Sequence, residues 1–70
     1  MAEFTAREKL EEADREVALR RRVYPKQIAR GEMSLAKANR QIEIMRSIAA
    51  DYHRAAIAEE RGKQTILSGG

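Results

Sequence analysis

Arg20-Arg-Arg-Val-Tyr-Pro-Lys-Gln-Ile-Ala-Arg-Gly-Glu-Met-Ser-Leu-Ala-Lys-Ala-Asn-Arg-Gln-Ile-Glu-Ile-Met45 is the stretch that decides the fold. It contains the single proline of the chain, Pro25, and its densest positive charge. Pro25 has no amide hydrogen, so the carbonyl of Arg21 loses its helical partner, and the ring disfavours helical geometry at Tyr24. The reading is a kink or short break at Val23 and Tyr24, with Pro25 at the first position of a final turn or two ending at Arg30. Gly31 suits the left-handed residue just past a helix end. Ser34 then offers an N-cap. Behind it Leu35, Ala38, Ile42, Met45, Ala49, Tyr52 and Ala56 alternate spacings of three and four, as the seam of a helical hairpin or coiled coil does. The stretch is therefore a bend between two helices.

Upstream, Thr5 and Glu8 stand at capping-box spacing, which starts the first helix at Ala6. Leu10, Ala13, Val17, Tyr24 and Ile28 fall within about 60° of one another on a helical wheel and form its seam. Downstream the pattern fades near Glu60, and Gly62 is a natural stop. The expected fold is all-α, an antiparallel two-helix hairpin over residues 1–62. Its parts are a helix over 6–30, a bend over 31–34 and a helix over 35–61, followed by a flexible tail over 63–70.

A chain of 70 residues is near the size at which one copy struggles to build a sufficient core. It has no cysteine for a disulfide or thiolate site and a single histidine. Self-association is the remaining route. Leu19 and Val23 on the first helix, and Ile44 and Ile48 on the second, point away from the main seams. Four aliphatics on a second face predict a homodimer forming a four-helix arrangement, with these residues as its interface. The alternative is that the Pro25 kink turns Leu19 and Val23 back into the hairpin core.

The charge is uneven. Residues 1–14 carry a net −3, residues 15–46 a net +6, and residues 47–70 balance. Arg22, Lys26 and Arg30 align at i, i+4 and i+8, a stripe suited to an acidic protein surface or to phosphate. With Arg20, Tyr24 and Met33 they make up the expected partner-binding surface at the bend. A solvated, solubility-conferring face is the bland alternative. Nucleic acid or a nucleotide is a further alternative partner, although no aromatic residues interleave with the arginines to stack bases.

Nothing in the sequence reads as an enzyme. It lacks a nucleophile–base pair, metal-ligand spacing and a glycine-rich phosphate loop, so no catalytic residue, metal or cofactor is assigned. His53 beside Tyr52 reads as a surface or interface histidine. Glu11, Glu12, Glu59 and Glu60 read as solvated carboxylates at helix ends. No apolar run approaches the ~20 residues of a membrane span. The acidic start without an apolar segment, and the absence of cysteine, point to the cytoplasm.

Arg22-Val-Tyr-Pro-Lys26, Ala29-Arg-Gly-Glu-Met-Ser34, Ala38-Asn-Arg-Gln-Ile42 and Met45-Arg-Ser-Ile48 together resemble a family of small proteins from phages and prophages of proteobacteria. The resemblance covers roughly residues 15–52. It departs at Gln27, where the family pattern has an aromatic, Trp-like residue. It implies a phage accessory protein of the bacterial host's cytoplasm, of a class whose members bind and inhibit a host regulator or defence component. A second similarity, Ser34-Leu-Ala-Lys37 opening a helix, is to helical-hairpin phage proteins that sequester cyclic nucleotides. Three functions follow as expectations: binding and modulating a host protein, binding nucleic acid or nucleotide, and self-assembly alone.

Overall fold

A computed structural model describes the backbone of residues 3–69 and the side chains of residues 3–62. Two helices, α1 (Ala6–Ala29) and α2 (Leu35–Gly69), pack against each other as a hairpin. The body is 19 × 18 Å across.

Each turn of the chain is fixed by local chemistry. The Glu8 amide donates to Thr5 Oγ1 at 3.1 Å and the Thr5 amide donates to Glu8 Oε1 at 2.9 Å, completing the capping box. At the other end of α1, Gly31 adopts φ +75°. Its amide donates to the Ile28 carbonyl at 3.0 Å, while the Glu32 amide donates to the Gln27 carbonyl at 2.9 Å. That pair of bonds is a Schellman motif, and it ties off carbonyls that the end of a helix otherwise leaves bare. Ser34 Oγ accepts from the Lys37 amide at 3.1 Å and opens α2.

Two boundaries differ from the sequence reading. There is no break at Val23 and Tyr24, because α1 is helical through Pro25 to Ala29. Arg21 and Pro25 are both exposed, so the carbonyl that proline deprives of a donor lies on the water side of the helix. The second helix does not stop at Gly62 but continues to Gly69, which replaces most of the expected tail over 63–70. Gly62 is not among the residues of positive φ, so it acts as a helical residue and not as a terminator. Gly70 lies outside the described residues.

The core is narrow. Its buried members are Ala6, Leu10, Ala13, Val17, Ala38, Ala49 and Ala56. Alanine at five of these seven positions lets the helices approach closely but leaves little apolar bulk inside. Met45 and Tyr52 pack on the cluster of Leu10, Ala13 and Ala49. Ile28 and Ile42 are half-buried. Leu35, assigned to the seam, is 62% exposed, because it stands level with the end of α1 and has no opposing turn to cover it. Among the described residues, no helix is long and apolar enough to cross a membrane.

The Glu8 contact gives the fold a pH dependence of known sign. Hydrogen bonds from the Thr5 backbone, and then from its side chain, hold the Glu8 carboxyl below the usual glutamate range. A depressed folded-state value contributes stability that is complete above the unfolded value and is lost as pH falls through the folded one. Thr5→Ala should cost about 1 kcal/mol at neutral pH. In thermal melts the gap between this variant and the parent should narrow as pH falls through the acid range. A gap that stays constant down to complete protonation of Glu8 would remove the capping box from the account.

Candidate binding surfaces

The hairpin register follows from two contacts. The Ala6 amide donates to both Glu59 carboxylate oxygens, at 3.3 and 3.2 Å, and the Tyr24 hydroxyl donates to Gln41 Oε1 at 2.9 Å. Arg7 adds a two-pronged pair to Glu60, with both N···O distances 2.9 Å, and Glu60 pushes the Arg7 guanidinium pKa up. Glu59 and Glu60, read as solvated charge, thus latch the start of α1 to α2. The carboxylate of Glu59 also sits where the helix dipole favours an anion. Sequence spacing within one helix cannot reveal this. Aligning the two capped helices as a hairpin would have brought these residues level.

In this register Ile44 and Ile48 stand level with the middle of α1, beside Leu19 and Val23. Leu19 is 42% exposed, Ile44 48% and Ile48 37%, while Val23 is half-buried. An open groove of about 570 Å³ runs along this side, lined in part by Phe4, Lys9, Glu12, Met45, Ile48 and Tyr52. Lys9 Nζ stands 5.8 Å from the centre of the Tyr52 ring, a cation–π contact at its edge. Of the four aliphatics assigned to a dimer interface, Ile48 lines this groove; helical spacing sets Leu19 and Val23 on the same side of α1 as Glu12, and Ile44 on the same side of α2 as Ile48.

The other side differs in character. Its groove, of about 430 Å³, is lined by Leu10, Val17 and Ala49 but also by Asp14, Arg21, Arg46 and the exposed His53. A body two helices thick leaves both grooves open to solvent. Among the described residues, no group of three His, Cys, Asp or Glu side chains could hold a metal ion.

The six residues assigned to partner binding divide into two sets. Arg22, Lys26 and Arg30 are exposed on α1, and among the described residues no salt bridge involves them. Arg20 is braced within the hairpin, donating to Glu16 at 2.9 Å and to the Gln41 carbonyl at 3.0 Å. Tyr24 is half-buried against Gln41, and Met33 is half-buried in the bend. The first set is available to a partner, whereas Arg20 and Tyr24 hold the bend in shape.

Charge separates along the long axis. Residues 20–40 carry seven Arg and Lys against the one carboxylate of Glu32, a net +6 at the bend end. Residues 3–16 and 47–62, at the opposite end, carry five Arg and Lys against nine Asp and Glu, a net −4. Compared with protein-family models, curated proteins and solved structures, the chain matches none.

Proposed function

We propose that this protein is a non-catalytic, homodimeric helical hairpin that binds and modulates another protein. The observation that carries this reading is the aliphatic side formed by Leu19, Val23, Ile44 and Ile48, over a core built mainly of alanine. A hairpin that leaves four larger aliphatics on one side, over a core of five alanines with Leu10 and Val17, reads as half of an apolar assembly. Pairing two such sides makes a four-helix arrangement, and a bend at Pro25 would curve α1 around it.

The exposed cations Arg22, Lys26 and Arg30, near the bend, are the proposed contact with an acidic surface, Arg22 and Lys26 foremost. The phage-family resemblance supplies the setting: an accessory protein in the host cytoplasm acting on a regulator or defence component. Replacing Arg22 and Lys26 by alanine should weaken capture of a bacterial partner at least about tenfold, equivalent to roughly 1.4 kcal/mol. The check is a pull-down from bacterial lysate after nuclease treatment, followed by titration of the captured protein with parent and variant. Equal affinities would dismiss this surface.

A second reading rests on the same uncompensated cations, which also suit nucleic acid or a nucleotide. It requires binding that nuclease abolishes and that weakens steeply with salt. Self-assembly alone is the reading left if neither form of capture occurs.

A further inference from the structure

The charge separation settles how two copies can meet. Resting on the dimer reading above, we propose that the homodimer is antiparallel, with its two-fold axis lying across the hairpins at the aliphatic patch. The acidic end of each copy then covers the basic end of the other.

The geometry begins with the register. Ala6 stands level with Glu59, and Tyr24 with Gln41. Both pairs sum to the same number, so Ile44 is level with residue 21 of α1 and Ile48 with residue 17. Together with Leu19 and Val23, they place the patch near residue 20, close to the middle of the hairpin body. A two-fold axis through that level superimposes the bodies along nearly their whole length. A patch at one end would have left most of each copy uncovered.

Size is consistent with this arrangement. The 24 residues of α1 extend about 36 Å. Over a width of 19 Å they present a side of roughly 700 Å² per copy, and two such sides reach the lower part of the standard interface range.

Charge then selects the direction. In the antiparallel arrangement α1 lies on α1 and α2 on α2. Glu8 and Glu12 approach the partner's Arg30, and Asp51 approaches the partner's Lys37. In the parallel arrangement each end meets its own kind. Glu12 would face the partner's Asp51 and Arg30 the partner's Lys37, two like-charged contacts flanking the same apolar patch. Among the described residues Arg30 and Lys37 enter no salt bridge, so they remain available to a second copy, where they would join the exposed pairs Arg15–Glu12 and Arg54–Asp51. The antiparallel dimer also displays Arg22 and Lys26 at both of its ends, which makes it bivalent toward an acidic partner.

The chain has no cysteine, so Glu32→Cys at the exposed bend provides a unique site for a nitroxide label. Dipolar spectroscopy on the labelled protein, with light scattering on the same sample, separates the outcomes. Antiparallel copies place the labels about 35–40 Å apart, from the helical rise between the patch and the bend. A distance below about 20 Å, set by the thickness of two packed helices, overturns the orientation while leaving the dimer intact. A monomer mass with no intermolecular distance overturns both the orientation and the dimer.

Discussion

Leu10→Asp should abolish the cooperative unfolding of this protein. Leu10 is 6% exposed and sits at the centre of the cluster with Ala13 and Ala49, covered by Met45 and Tyr52. Removing its side chain alone costs about 2–5 kcal/mol. Putting a carboxylate in its place adds the desolvation of a charge. The helical neighbours Glu11 and Asp14 are also acidic, and Lys9 is engaged over the Tyr52 ring. Among the described residues, no other core residue larger than valine is buried to offset the loss. A domain of this size holds only a few kcal/mol in reserve. Circular dichroism should therefore show a largely unfolded chain at 25 °C. Ala18→Asp, on the exposed side of the same helix, controls for the poorer helix propensity of aspartate and should melt close to the parent. A folded Leu10→Asp with a melting point within a few degrees of the parent would mean that the hairpin core does not hold this protein together.

The parts of this fold legible in the sequence are those decided within one helical turn. The capping box at Thr5 and Glu8, the glycine termination at Gly31 and the cap at Ser34 each depend on neighbours three or four residues away, and each is present. What spacing could not supply is the relation of one helix to the other. Glu59 and Glu60 find partners 53 residues away, and Leu35 is exposed because α1 ends opposite it. Of the kink or short break expected at Pro25, the break is absent for a different reason. A proline near the end of a helix removes one hydrogen bond on the water side, too small a loss to interrupt a helix closed by a Schellman motif. The candidate surface was half legible in the same sense. The spacings of Leu19 with Val23 and of Ile44 with Ile48 mark two stripes, but the inter-helix register brings both to one level of one side.

That convergence makes Ile44→Asp the decisive change for assembly. Ile44 is 48% exposed in one copy, so an aspartate there meets water and leaves the hairpin core intact. In the proposed dimer it would lie beside the two-fold axis, where symmetry would bring two carboxylates together within an apolar patch. Loss of two buried isoleucines and creation of a like-charge contact should weaken association at least about 100-fold, roughly 2.7 kcal/mol. Light scattering should find the parent at twice the 8.0 kDa of one chain and the variant at that single mass. The parent should also melt at a temperature that rises with protein concentration, and the variant should lose this dependence. A variant that is monomeric and helical shows that the hairpin stands alone. That outcome places Ile44 in the interface. One that is monomeric and unfolded would mean that Ile44 also supports the single hairpin, and would overturn its assignment to a free face. A variant that remains a helical dimer would remove the aliphatic side from the assembly, and with it the antiparallel arrangement built on that side.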